Sequence, residues 1–263
     1  MLYISMLYIF INVSICNYYR VTKIFMLFQS SSLNNIYKLI TYPSNMNTAI
    51  LFSGGKDSGL ALMYALKDTD VKCLITIISE NDESYMFHVP NIRLAEKQAE
   101  TVGIPLIIEK TNGEKEVELK DLEKAIKQYK IEAIFTGAIA SEYQASRIKD
   151  IANRLGIDCI NPLWKKDQWE VLNELVKNNF EIMIIGVFAE GLDNILGKKI
   201  DEKTIDELRR IHSKLEINPA GEGGEYETFM LNAPYYKRRL EITKSSIRKE
   251  KSGGKILQIE EIQ

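Results

Sequence analysis

The sequence predicts an α/β fold, a doubly wound parallel sheet followed by a second, smaller α/β domain. Three observations predict it. From Met46 onward, short β-branched apolar runs alternate with longer amphipathic segments, the pattern of a parallel sheet covered by helices. A glycine-rich loop follows the first of these runs and leads straight into a helix. Near Pro162 the rhythm changes, and a glycine-rich acidic stretch later opens into alternating runs. Composition allows this: 263 residues with 45% hydrophobic and 27% charged can bury a sizeable core and are too apolar for a disordered chain.

Strands are expected at 48–52, 71–79, 105–109, 132–137 and 157–160, and helices at about 58–67, 91–102, 115–130 and 142–155. Ser141 and Gln144 have the capping-box spacing that satisfies free N–H groups in the first turn of the last helix. Beyond Pro162, 167–178 reads as a helix, 181–189 as a buried strand and 201–215 as a helix. The domains are therefore expected at 46–164 and 165–263.

Residues 1–45 are a different kind of sequence. They hold 9 of the 24 aromatic residues and no acid, with Arg20, Lys23 and Lys38 as their only bases. The formal net charge of −2 thus becomes −5 from Met46 onward. Residues 2–19 are uncharged, which just reaches the ~18 residues of a spanning helix, yet Asn12, Ser14 and Asn17 dilute them. No positive residue precedes this run and no small-residue cleavage site follows it, against a secretory signal. The preferred expectation is a translation start at Met26 or Met46; a membrane anchor and an ordered extra element are the alternatives. Cys16, Cys73 and Cys159 are odd in number and far apart, so no disulfide scaffold or Cys-x-x-Cys site is expected and a reduced cytoplasmic protein is the default. The acidic balance argues against DNA or a dominant RNA footprint.

The motif that carries chemistry is Ser53-Gly54-Gly55-Lys56-Asp57-Ser58, between the first strand and the first helix. Its glycines let the main chain approach an anion, its serines add hydroxyls, and the helix N-terminus presents N–H groups and a positive dipole end. It matches neither G-x-x-x-x-G-K-[ST] nor G-x-G-x-x-G. It resembles the PP-loop of the ATP pyrophosphatases, which cleave ATP between the α and β phosphates on a Rossmann-like sheet. That resemblance implies ATP as the ligand of Ser53, Gly54, Gly55, Lys56, Asp57, Ser58 and Gly137, the last at the carboxyl edge of the fourth strand. Lys56 is then a candidate to neutralise the departing pyrophosphate. Asp57 is a candidate to orient Mg2+, or else caps the helix.

Three further segments, 84–91 (SYMFHVPN), 137–147 (GAIASEYQASR) and 221–229 (GEGGEYETF), resemble signatures of the diphthine-ammonia ligase family. With Pro162-Leu163-Trp164 and Gly191-Leu192-Asp193, the likeness runs from about 46 to 240. It implies that ATP adenylates the carboxylate of diphthine, a modified histidine on translation elongation factor 2, and that ammonia displaces AMP to give diphthamide. It also implies substrate contacts from His88, Ser141, Tyr143, Gln144, Arg147, Glu222, Gly223 and Gly224. No membrane partner is expected of the mature chain, and a homodimer is left open. Another PP-loop enzyme, such as one modifying tRNA, and a nucleotide sensor without chemistry are the alternatives.

The residues can also be weighed on their own. Tyr143 and Arg147 are four apart and share a helical face, which Gln144 can join. Arg147 either touches ATP or the substrate carboxylate or forms a surface ion pair with Asp150 or Glu142. His88 is one of two histidines, with no partner at metal-ligand spacing, and is open to a structural or a catalytic role. On a strand, Glu225 and Glu227 share a face with Phe229, while Glu222 lies in glycine-rich chain. Their expected task is to hold ammonium or take its proton, with loop-shaping contacts as the alternative. Asn232 and Ala152 depart from the family's usual aspartate and cysteine; the first puts a carboxylate role at 232 in doubt, and the second argues that no thiol is required there. Eight basic residues between Lys237 and Lys255 against Glu241 and Glu250 either dock the protein substrate or form a solvated strand edge.

Overall fold

The computed structural model describes residues 42–43, 45–79, 91–111, 115–250 and 253–263, and of residues 115–117 the backbone alone. The leader expectations and His88 lie outside the described residues. Five parallel strands form the first sheet: β1 (Asn47–Leu51), β2 (Asp70–Ser79), β3 (Leu106–Thr111), β4 (Ala133–Phe135) and β5 (Asp158–Ile160). Helices α1 (Lys56–Asp68), α2 (Ala95–Val102), α3 (Lys115–Lys127) and α4 (Glu142–Leu155) connect them. The strand order β3-β2-β1-β4-β5 is doubly wound. Its switch point falls between β1 and β4, and ligands of such sheets lie at that carboxyl edge.

The second sheet has the order β7-β6-β9-β8 and is antiparallel throughout, with strands β6 (Glu181–Val187), β7 (Tyr226–Asn232), β8 (Ile242–Lys249) and β9 (Lys255–Ile262). Helices α5 (Gln168–Lys177) and α6 (Glu202–Leu215) complete this half.

The reasons for these elements are local first. Cys73 to Ile78 are buried on both faces because β2 is central, which is why the strand reads as an unbroken apolar run. Ser141 caps α4 by accepting from Gln144 N–H at 3.4 Å, and Asp167 and Asp201 cap α5 and α6 by accepting from Glu170 and Thr204 N–H. Apolar faces then close the core. Ile75, Ile77 and Ile134 of the sheet pack with Leu122 and Ile126 of α3 and Ile148 and Ile151 of α4. Ala152 is in this cluster, so its methyl is a packing group. Under the second sheet, Ile185, Phe229, Leu231, Leu240 and Ile259 form their own cluster.

Two boundaries differ from expectation for identifiable reasons. The helix expected at 91–102 begins as a 3-10 turn, Ile92–Leu94, because Asn91 is left-handed (φ 61°) and is spent on β9. Its Oδ1 accepts from Ile259 N–H and its Nδ2 donates to the Leu257 carbonyl. The strand expected at 132–137 stops at Phe135. There the Thr136 hydroxyl turns to Asn161 Oδ1 and the chain leaves the sheet to run over α1.

Candidate active site

The chain leaves β1 with Phe52 still bonded to β2 and then folds back on itself. Ser53 Oγ and Ser58 Oγ lie 3.1 Å apart, Ser53 N–H donates to Ser58 Oγ at 3.3 Å, and Ser58 Oγ donates to the Gly55 carbonyl at 3.1 Å. The two serines thus close the loop, and α1 starts at its mouth. Gly54 has φ +78°, a conformation costly for any residue with a Cβ. Gly137 is required sterically: a Cβ there would lie 2.6 Å from the Asp57 carbonyl carbon and 2.7 Å from Ser58 N. The loop after β4 therefore rests directly on the first turn of α1.

Lys56 is 4% exposed, its Nζ 2.7 Å from Asp57 Oδ2 and 5.6 Å from the centre of the Tyr226 ring. The capping role for Asp57 is not found: the N-cap is Gly55, with no side-chain cap bond. Asp57 Oδ1 is buried and has no hydrogen-bond partner among the described residues. Burial raises its pKa, with the Lys56 ammonium opposing.

The second sheet brings two more carboxylates. Glu227, on β7, has its pKa pushed up to about 7 by burial, with Lys56 opposing and Asp57 and Glu222 adding to the rise. Glu222 is raised as well, by burial and then by Asp57, while Ala140 N–H donates to its Oε2 at 3.2 Å and opposes the shift. Three carboxyl groups thus share one ammonium, an arrangement that favours a second cation or a retained proton.

Glu225 is placed differently. It lies one residue before β7, and the expected common face with Glu227 does not form. Its Oε1 accepts from Asn218 N–H at 2.8 Å and Asn218 Nδ2 at 2.7 Å, and its Oε2 from Gly223 N–H at 2.8 Å. These are loop-shaping contacts, and the loop they shape, with exposed Gly223 and Gly224, carries Glu222.

On α4, the Arg147 guanidinium stacks over the Tyr143 ring at 4.6 Å, so the expected shared face is present. Glu142 pairs with Lys165 at 3.9 Å. Gln144 gives its backbone N–H to the Ser141 cap. Cys73 and Cys159 pack in or against the core, and burial pushes both thiols up to about 11. Among the described residues no group of three His, Cys, Asp or Glu side chains could hold a metal by itself, and no helix is long and apolar enough to cross a membrane.

Sequence reasoning gave no role to Thr228 or Gln98. Thr228 Oγ1 accepts from Lys56 N–H at 3.1 Å. Gln98 is fully buried between Gly54 and β7. A signal existed for it: Ala95, Ala99 and Val102 form the apolar stripe of α2, and Gln98 interrupts that stripe with an amide.

The loop, its seat on α1 and the carboxyls over it have clear relatives. Family models for the diphthamide synthase N-terminal and C-terminal domains match residues 46–159 and 167–262. The diphthine--ammonia ligase of Schizosaccharomyces pombe is 34% identical over 77% of this chain, which spans 37% of that protein's length. The human diphthine--ammonia ligase is 30% identical over 77% of this chain and 85% of its own length. A solved structure described as a predicted subunit of tRNA methyltransferase from Methanocaldococcus jannaschii is similar with TM-score 0.41 and 20% identity. It covers 72% of this chain and 97% of that one, a likeness too loose to bear on function. With both domain models matched in chain order over the two sheets that build the site, the chain belongs to the diphthamide synthase family of diphthine--ammonia ligases.

Proposed function

We propose that the protein amidates diphthine on translation elongation factor 2 in an ATP-dependent, AMP-forming reaction. A carboxylate is a poor acyl acceptor, so it must first acquire a leaving group. One of its oxygens attacks the α phosphorus of ATP, the bond to the bridging oxygen breaks, and pyrophosphate departs with the electron pair. Ammonia then adds to the acyl carbon, loses a proton, and AMP leaves with the second electron pair.

The residues divide this work. The 53–58 loop and the N-terminus of α1 present N–H groups to the β and γ phosphates. Lys56 balances charge on the departing pyrophosphate. The unpartnered Asp57 Oδ1 fits a Mg2+ ion, which when bound would supply charge to neutralise the phosphates. Arg147 holds the substrate carboxylate, and its stacking on Tyr143 supports this role by fixing the guanidinium plane. Glu222 and Glu227 attract ammonium, and Glu227, pushed up to about 7, takes the proton lost as ammonia adds.

The observation that carries this reading is the raised carboxyl of Glu227 in the same site as the Lys56–Asp57 pair. Against a sulfur-transferring tRNA enzyme stand the thiols of Cys73 and Cys159, which burial keeps protonated. The test is mass spectrometry of the modified histidine of elongation factor 2 after incubation with ATP and ammonium. Conversion to the amide, with AMP and pyrophosphate released together, is expected. An unchanged mass with folded enzyme, or AMP release that depends on tRNA, would sink the proposal.

A further inference from the structure

Behind the phosphate-binding loop, on the side away from its mouth, one buried amide touches both halves of the molecule. Gln98, 0% exposed on α2, donates from Nε2 to the Gly54 carbonyl at 2.9 Å and to the Met230 carbonyl at 2.8 Å. The Gly54 carbonyl also accepts from Met230 N–H at 2.9 Å. Two donors therefore hold one loop carbonyl against β7. Because a trans peptide points its C=O and N–H in opposite directions, fixing the Gly54 carbonyl also fixes where Gly55 N–H points. It points back into the loop, on the side of Ser53 Oγ at 3.4 Å. A peptide turned the other way would present a carbonyl oxygen to an anion.

Gln98 Oε1 has no hydrogen-bond partner among the described residues, and a Cβ on Gly54 would lie 2.0 Å from it. A buried amide with one end unpaired is a cost that an apolar side chain would avoid. Its other end must therefore be doing something an apolar side chain cannot.

We propose that Gln98 is the positioning residue of the phosphate-binding loop. It holds the Gly54–Gly55 peptide with its N–H toward the nucleotide and ties that peptide to β7, the strand that carries Glu227 and Thr228. The inference rests on the nucleotide-binding part of the function proposed above and not on the identity of the acceptor.

Three variants of the full chain test it, read by calorimetric titration with Mg·ATP and by steady-state kinetics. Q98M keeps the length without donors, Q98E replaces the donor with an oxygen that repels both carbonyls, and V102A trims an apolar residue of the same helix. Q98M should weaken ATP binding about tenfold, and Q98E more, with the KM for ATP rising in step and kcat changing far less. V102A should lower the melting temperature without changing ATP affinity. Wild-type ATP affinity in folded Q98M and Q98E overturns the proposal, and so does V102A weakening ATP as much as Q98M does.

A second measurement needs no variant. Met230 N–H should exchange slowly and equally with and without ATP, whereas Gly55 N–H, which has only the long 3.4 Å bond to Ser53 Oγ, should gain protection when ATP is present. A Met230 amide protected only after ATP is added overturns the proposal. Wild-type protein that binds ATP without amidating diphthine defeats the proposed reaction and leaves this test intact; wild-type protein that binds no ATP defeats both.

Discussion

The two sheets build the site by opposite means. The parallel sheet contributes main chain: a loop closed by Ser53 and Ser58, with Gly137 pressed against the start of α1. The antiparallel sheet contributes ionisable side chains: Glu227 on β7, and Glu222 on a loop clasped by Glu225. An anion site made of main chain depends on shape, and substitutions spoil it by volume. A carboxylate site depends on burial and on neighbouring charge, and substitutions spoil it by changing protonation. Lys56 belongs to both, with its N–H on Thr228 Oγ1 and its Nζ on Asp57 and over the Tyr226 ring.

The largest effect should come from removing that shared residue. K56A leaves Asp57, Glu222 and Glu227 without their common ammonium. Turnover is expected to fall by about 10²–10³, as when a single charge-stabilising donor is lost. If AMP release in K56A stays within a few-fold of wild type, the seam between the sheets is not where the chemistry is held.

The next effect separates the two regions. E227Q preserves volume and the loop, so ATP binding should persist while amide formation falls about 10²-fold. It should also change the response of stability to pH. Folding raises the Glu227 carboxyl from its ordinary 4.5 to about 7, so the folded protein binds this proton more tightly than the unfolded chain. That contribution is complete below about pH 4.5 and is lost as pH rises through about 7. Melting temperatures should therefore favour E227Q over wild type above pH 7, with the advantage shrinking as pH falls toward 4.5. A constant difference across that range would mean that Glu227 is not held as described.

How far each region was legible in the sequence follows the same division. The 53–58 loop could be read because a main-chain site needs glycines, and glycines are visible as letters. Ser141 as a cap and Cys73 as a packing residue could be read for similarly local reasons. Three spaced glutamates showed that carboxylates mattered, but not which one faces the site. Glu225 and Glu227 are assigned by a strand boundary that falls between them and by Asn218, a hydrogen-bond partner seven residues upstream of Glu225. Gln98 was hidden for a related reason, since its partners Gly54 and Met230 are 44 and 132 residues away. The antiparallel order of the second sheet was equally hidden, because strand direction is set by long-range pairing.

A smaller effect should follow from Glu225. E225A releases Asn218 and Gly223 and loosens the loop that presents Glu222, so about a tenfold loss in amide formation is expected, with faster proteolysis within 218–225. E225Q can still accept from Asn218 through its remaining oxygen but offers no second acceptor to Gly223, so it should fall between E225A and wild type. Loss in E225A as deep as in E227Q, with the loop still protease-resistant, would return Glu225 to the reacting groups.

The smallest effect on the enzyme itself should come from β8, farthest in the second sheet from β7. It is an edge strand exposed along nearly its whole length, with Ile247 62% exposed. Its charges are mostly answered by near neighbours, Lys244 by Glu260 at 2.9 Å and Arg248 by Glu250 at 2.8 Å. Exposed pairs of this kind add little to stability, while lysines on an edge discourage pairing with other strands. A triple change, K244S/R248S/K249S, should therefore leave the melting temperature and the KM for ATP unchanged. What it does to the KM for elongation factor 2 decides the role of the stripe. An increase that salt erases would mean that the stripe steers the protein substrate, whereas an unchanged KM would leave β8 as a solvated edge whose charges only keep the sheet from growing.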